Sequence, residues 1–263
     1  MNSIALLTDF GIRDGYVGVM KGVIAAIAPT AICIDLSHEL APQDIWGGRF
    51  CLMSTAPYFP AQTIFLGVVD PGVGSARQGL AVKFEEGYFV GPDNGLVTGL
   101  LDIFGAIAAV RLDNPQYWRV PERDKISNTF HGRDIFAPVA AHLANDIPFE
   151  KLGSSVDLDS LVRLEIPTYT KTGDRLAGMI QHIDHFGNLI TTIPADCCST
   201  SGGVVMFGDR QAQIPYVKTY SRVPAQTLCA LPGSHGWLEI SLNQGSAEKY
   251  LAARRRDPVV YRP

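Results

Sequence analysis

Residues 68–80, VVDPGVGSARQGL, place a carboxylate (Asp70) and a guanidinium (Arg77) on either side of a Gly-rich turn that ends an apolar run, IFLGVVD. Such residue types bind polar ligands or handle protons, and more of them recur at comparable places. LLTD ends on Asp9, and CIDLSH carries Asp35 and His38. A lone Asp at a strand end is usually a turn former or a helix cap, whereas three such ends together predict a polar crevice. TFHGRD (129–134) sets His131 just before Arg133 and Asp134. Asp134 near a helix start is a favourable charge for the helix dipole, which leaves His131 as the better chemical candidate of that segment. His131 alone fits a structural role equally well. In GPDNG (91–95), Asp93 or Asn94 can cap a helix and Gly95 can take a positive φ. IDHFGN crowds Asp184, His185, Phe186 and Asn188 into one turn, which is also ordinary hairpin chemistry. GSHGW, with Ser234, is a similar turn, followed by LEISL with Glu239 and Leu242.

The elements that must position these residues change character along the chain. The first half alternates strand and helix: IALLTD, then YVGVMKGVIAAIAP at helical spacing, AICIDLS, QDIWGGRFCLMSTAPYF and TIFLGVVD. LAVKFEEGYFVG reads as two strands joined at Glu86–Gly87, and LVTGLLDIFG and RDIFAPVAAHLAND read as helices flanking the strand AAVRL. This pattern predicts an α/β domain with three layers and a mainly parallel central sheet, in which binding groups collect at the carboxyl ends of strands. After IPTYTKTGDR the helical period disappears. Short runs such as LAGMIQHID, NLITTIP, GGVVMFGD, TLCALPG, GWLEISL and PVVYRP predict a small antiparallel sandwich or barrel. The expected division is 1–168 for the α/β domain and 169–263 for the β domain.

Composition narrows the function. The chain has 263 residues, 46% hydrophobic and 18% charged, with a formal net charge of -4, which fits a globular protein and argues against nucleic-acid partners. The one basic run, Arg254–Arg256, is too short to change this. No stretch reaches the length of a membrane span, and MNSIALLTDFG lacks the basic start of a secretory signal. Five cysteines without a C-x-x-C pair suggest a reduced, cytoplasmic protein without a zinc site or disulfide framework. G-x-x-x-x-G-K-[ST], G-x-S-x-G and H-E-x-x-H are all missing. GVGSAR resembles a phosphate loop only loosely and has no lysine.

TDFG (8–11), MKG (20–22), DLSH (35–38), VVDPGVG (68–74), GPDNG (91–95), TFHGRD (129–134) and IDHFGN (183–188) follow one another in this order. In that order they resemble the S-adenosyl-L-methionine hydroxide adenosyltransferase family, relatives of the fluorinase and chlorinase. The resemblance spans nearly the whole chain. It implies an N-terminal α/β domain, a C-terminal β-barrel-like domain, and a homotrimer with substrate between subunits. It implies that Asp70, Arg77 and His131 surround a nucleophilic water and that Asp9 grips the ribose hydroxyls. It further implies that Phe186 and Asn188 flank the adenine and that Asp184 contacts the methionine amino group. Ser234, Glu239 and the backbone of Leu242 correspond to contacts on the methionine end and the base. His235 stands where the fluorinase has arginine, so the grip on the methionine carboxylate departs from that relative.

The reaction implied is hydrolysis of S-adenosyl-L-methionine to adenosine and L-methionine by in-line attack at the ribose 5′ carbon. The sulfonium makes methionine an excellent neutral leaving group, so the missing part is a competent nucleophile held about 3 Å from the carbon. Arg77 would favour hydroxide character, Asp70 would accept a hydrogen bond or proton, and His131 would orient the set. No cofactor and no metal are called for. Two alternatives stand beside it: a halide-dependent 5′-halo-5′-deoxyadenosine synthase of the same family and, from another class, a catalytically silent sensor that binds adenosine or S-adenosyl-L-methionine. A carboxylate at Asp70 would repel an incoming halide, and a pure binder has no use for a polar cluster at the reacting carbon.

Overall fold

An unbroken apolar run such as IALLT makes a stable strand only if both of its faces are covered. In the computed structural model, which describes residues 3–119, 126–198, 203–207 and 210–263, β1 (Ser3–Thr8) turns Ile4 and Leu6 toward one hydrophobic layer and Ala5 and Leu7 toward the other. Residues up to Leu164 form one compact unit and those from Glu165 another. In the first unit, α1 (Tyr16–Ile27) buries Val17, Met20 and Ile24 along one stripe. Next come β2 (Ile32–Ser37) and α2 (Ile45–Thr55), the latter capped by the Asp44 carboxylate accepting from the Gly47 N–H at 2.9 Å. Then follow β3 (Thr63–Val68), the hairpin β4 (Gly79–Phe84) and β5 (Gly87–Pro92), α3 (Thr98–Ile103), β6 (Ala106–Arg111), α4 (Ala137–Ala144) and the short β7 (Ser155–Val156).

The seven strands lie in the order β2-β1-β3-β5-β4-β6-β7. β2, β1, β3 and β5 are parallel neighbours, while β4 runs antiparallel to both β5 and β6, and β7 antiparallel to β6. Five strands therefore point one way, and the helix α3 carries the chain from β5 across β4 to β6. α1 and α4 pack on one face, α2 and α3 on the other. The sheet is the middle of three layers, as the alternation of elements predicts.

The second unit is antiparallel. Its strands are β8 (Thr170–Thr172), β9 (Arg175–Ile183), β10 (Leu189–Pro194), β11 (Gly203–Phe207), β12 (Arg210–Ile214), β13 (Leu228–Pro232), β14 (Trp237–Leu242) and β15 (Pro258–Arg262), with one short helix, α5 (Ala247–Leu251). They follow the order β12-β11-β15-β9-β10-β14-β13, with β8 also on β9. The long β9 serves two neighbours in turn: Leu176–Met179 pair with β15, and Ile180–Ile183 with β10. A bridge from Tyr216 to Ala230 ties the segment after β12 to β13 at the opposite edge, so the sheet curls and hides part of its edges. Inside the curl lie Leu176, Ile180, Ile193, Ile240 and Tyr261. Gly202, Gly208 and Asp209, at the ends of one expected strand, lie outside the described residues, as do Met1 and Asn2 of the expected first segment. Among the described residues no helix is long and apolar enough to cross a membrane.

Candidate active site

Strand order locates the crevice. From β1 the chain passes through α1 to β2 on one side, then through α2 to β3 on the other side of β1. The two connections leave on opposite faces, so a gap opens at the carboxyl ends of β1 and β3. Thr8 pairs with Val68 across that gap. Asp9 follows Thr8 directly and Asp70 comes two residues after Val68, which places both carboxylates at its mouth.

Asp70 and Arg77 form a two-pronged ion pair. The Arg77 Nε–H donates to Asp70 Oδ1 at 2.9 Å, and Nη2 donates to Oδ2. Their side chains are 5% and 11% exposed, so the pair is shielded from solvent on most sides. Nη2 also lies 2.9 Å from His131 Nδ1. A guanidinium can only donate, so Nδ1 accepts and the ring proton sits on Nε2. Burial, and then the neighbouring Arg77 charge, push the His131 pKa below the ordinary imidazole value; the ring is neutral at neutral pH. The Arg77 guanidinium also packs over the Phe136 ring at 5.2 Å. Its Nη1 has no hydrogen bond among the described residues and lies on the side of the guanidinium away from Asp70, where its N–H groups stay available to a small polar molecule.

Two features bring sequence-distant pieces of this cluster together. Gly74 has φ +75°, and a Cβ there would stand 2.4 Å from the Asn128 carbonyl oxygen. Only glycine lets the turn after Asp70 press against the segment that carries His131. That segment is in turn anchored by Asp134, which is fully buried. Its carboxylate accepts from Arg133 Nε and Nη2 at 2.7 and 2.8 Å and from the Ser127 N–H at 2.9 Å, with Arg119 Nη1 at 3.5 Å. Burial alone would raise its pKa, but hydrogen bonds from Arg133 and Ser127 and the Arg charges hold it below the usual range. The helix-dipole role expected for Asp134 is thus secondary to a buried anchor. His131 itself sits at the start of a wide π turn, Gly132–Phe136, that leads into α4 just before Pro138. Phe130 makes edge contacts with Phe10 and Tyr16, at 5.9 and 5.4 Å between ring centroids, and joins this segment to the loop after β1.

Asp9 uses Oδ2 to accept the Gln43 N–H at 2.7 Å, which fixes its carboxylate and leaves Oδ1 for a ligand hydroxyl. The remaining expected site residues lie in the second unit. Asp184 accepts three hydrogen bonds from its own turn: Phe186 N–H at 2.9 Å, Asn188 N–H at 2.8 Å and Asn188 Nδ2 at 2.8 Å. The result is a rigid loop with Asn188 buried and the Phe186 ring 72% exposed. Gly187, at φ +81°, would set a Cβ 2.1 Å from Ser246 Oγ, so this loop lies tight against the cap of α5.

Glu239 is 5% exposed and accepts from Tyr220 Oη at 2.6 Å and Ser241 Oγ at 2.8 Å, with His235 Nε2 at 3.4 Å. Burial would raise its pKa, but these three donors bring it down. Ser234 is exposed in the Gly233–Gly236 turn and Leu242 ends β14. Tyr220, nineteen residues from Glu239, carried no signal in the sequence. All five cysteines are free thiols, and among the described residues no group of three or more His, Cys, Asp or Glu side chains gathers as a metal-ligand set.

Comparison with known proteins covers both units. The family model for the SAM hydroxide adenosyltransferase N-terminal domain matches residues 4–153, and that for the C-terminal domain matches 178–260. The chain is 39% identical over 262 residues to the (R)-S-adenosyl-L-methionine hydrolase of Thermus thermophilus, covering 98% of this chain and 99% of the other. It is 28% identical over 215 residues to the fluorinase of an Actinoplanes species, covering 72% and 71%. The crystal structure of an uncharacterized conserved protein from Thermotoga maritima superimposes with a TM-score of 0.93 at 34% identity, covering 99% of this chain and 100% of that one. With family models over most of its length and a full-length relative at this identity, the chain belongs to the SAM hydroxide adenosyltransferase family.

Proposed function

We propose that this protein hydrolyses S-adenosyl-L-methionine to adenosine and L-methionine by attack of water at the ribose 5′ carbon. The observation that carries this reading is the Asp70–Arg77–His131 chain of hydrogen bonds at the carboxyl ends of β1 and β3. Arg77 is held by Asp70 on one edge and by the His131 Nδ1 lone pair on another, so its remaining N–H groups are fixed in direction. A water that donates to Asp70 there lies within reach of the Arg77 charge and presents a lone pair outward. As that oxygen gains its bond to carbon, the C–S electron pair leaves with methionine, and the released proton passes along the Asp70 hydrogen bond to solvent. Asp70, paired with a cation, is a good acceptor of a hydrogen bond and a weak base. The charge of Arg77 stabilises the hydroxide character that develops.

Asp9 is assigned to the ribose hydroxyls, Phe186 and Asn188 to the base, and Asp184, Ser234, Glu239 and the Leu242 backbone to the methionine end and the base. Asp184 has already committed three of its roughly four acceptor sites, so its share is one further donor, which an ammonium can supply. The proposed assembly is a cytoplasmic homotrimer whose subunits share each site. No cofactor is assigned, since S-adenosyl-L-methionine itself carries the leaving group. The name of the Thermus relative specifies the R epimer at sulfur, and we extend that preference to this chain. The test is product analysis on the separated R and S epimers, with and without chloride. Adenosine and methionine, formed from the R epimer faster and independently of halide, support the proposal. A 5′-chloro nucleoside or no turnover of either epimer overturns it.

A further inference from the structure

A chain of polar contacts that no step above uses runs into the loop holding Asp9. Lys21 Nζ on α1 donates to Asp35 Oδ2 at 2.7 Å, and Asp35 Oδ1 lies 3.1 Å from His38 Nε2. On the other side of the ring, His38 Nδ1 lies 2.8 Å from Thr8 Oγ1, and the Phe10 N–H donates to that same Oγ1 at 3.3 Å. The His38 carbonyl accepts the Gly11 N–H at 2.7 Å. Thr8 is 0% exposed and His38 5%, so solvent does not compete for these bonds.

The directions are set by chemistry. The ammonium of Lys21 keeps Asp35 an acceptor, and burial, which would raise the Asp35 pKa, is outweighed by the Lys21 and His38 contacts that lower it. His38 Nε2 therefore carries the proton facing Asp35, and Nδ1 accepts the Thr8 hydroxyl. Thr8 then has its oxygen lone pairs free for the Phe10 amide. The bonds of the Asp9 loop all point back toward His38, whose Nε2 in turn faces Asp35. Residues 8, 10 and 11 are each tied to His38, directly or through Thr8, and residue 9 lies between them.

We infer that Thr8 and His38 are positioning residues that fix the backbone on both sides of Asp9, so that its free oxygen faces the ribose hydroxyls; this rests on the assignment of Asp9 to the ribose. A wrong register of one hydrogen-bonding carboxylate costs selectivity for the hydroxyl it grips, because misplacement by about 1 Å is enough to lose most of an oriented contact. The test is calorimetric binding of adenosine and 2′-deoxyadenosine to the full-length protein and its variants. Wild type should prefer adenosine, and Asp9→Asn should abolish the preference. Thr8→Val, which keeps the shape and loses the hydroxyl, should reduce the preference about tenfold, as expected for one oriented contact. Thr8→Ser should retain it. His38→Gln, which reaches toward Asp35 but has no acceptor at the Nδ1 position, should copy Thr8→Val, while His38→Asn should stay near wild type.

A ratio of two affinities does not move when a variant is merely less stable. If Thr8→Val and His38→Gln fold and keep the full preference that Asp9→Asn loses, the inference is overturned and the Asp9 assignment stands. If wild type and Asp9→Asn bind both nucleosides alike, the Asp9 assignment falls first and takes the inference with it.

Discussion

The two units use carboxylates in opposite ways. At the strand ends of the first unit, Asp70 is paired with Arg77 yet leaves oriented donors and acceptors facing a gap in the sheet. In the second unit Asp184 spends its oxygens on the amides of its own turn, and Glu239 is closed in by Tyr220, Ser241 and His235. The same residue type is assigned to the reacting water in one place and is largely taken up by its own fold in the other. What separates them is how much of each carboxylate its own neighbours use: Asp184 has about one of four acceptor sites left over. What the second unit presents outward is instead a rigid loop bearing the Phe186 ring.

Substitutions can break this contrast, and the largest effect belongs to the first unit. Arg77→Ala should leave Asp70 as an uncompensated, nearly buried charge, costing on the order of 3–5 kcal/mol of stability and at least about a thousandfold in kcat. Chemical denaturation alongside turnover with S-adenosyl-L-methionine measures both. His131→Ala should lower kcat about a hundredfold with adenosine affinity nearly unchanged, read by steady-state kinetics and calorimetry.

His131 also sets a pH dependence. Its folded pKa is depressed, so the neutral ring persists below the ordinary imidazole value and is protonated only as pH falls through the depressed one. Protonation removes the acceptor for Arg77 and adds a like charge. The wild-type pH–rate profile should therefore show an acid limb below about 6.5, the unperturbed imidazole value, and His131→Ala should flatten it. Stability follows the same sign, because the unfolded state binds the proton first and stability is lost as pH falls.

Effects in the second unit should be smaller and of another kind. Asp184→Ala strands the buried Asn188 amide and side chain, so it should cost about 2 kcal/mol of stability, seen in a denaturation midpoint, with kcat changed less than threefold. Phe186→Ala should do the reverse. Its ring is exposed, so stability should hold within about 0.5 kcal/mol, while loss of stacking on the base should raise KM about tenfold. A large drop in kcat for either variant would erase the contrast between the units.

Much of the fold was legible because it rests on local patterns. β1 and β3 are continuous apolar runs, as strands buried on both faces must be. α1 shows its buried stripe, and the Glu86–Gly87 connection is too short for anything but a hairpin. Five of seven strands run one way, yet the reversed β4 sits between β5 and β6, an order that no periodicity encodes. The site was legible only in part. Asp9 and Asp70 announce themselves at strand ends, and Gly74 marks a close approach. The burial of Asp134 did not, since its partners Arg119, Ser127 and Arg133 lie at three different distances along the chain. A carboxylate opening a helix looks the same in sequence whether it faces water or an arginine. The bond between Thr8 and His38 spans thirty residues and depends on β1 pairing with β2, and the Tyr220–Glu239 bond likewise exists only once the second sheet has curled.

Turnover in oxygen-18 water tests the central claim most directly. If solvent held between Asp70, Arg77 and His131 displaces methionine, the adenosine formed carries one heavy oxygen at its 5′-hydroxyl, and the methionine carries none. Adenosine without label, or label found in any other product, contradicts attack of water at that carbon.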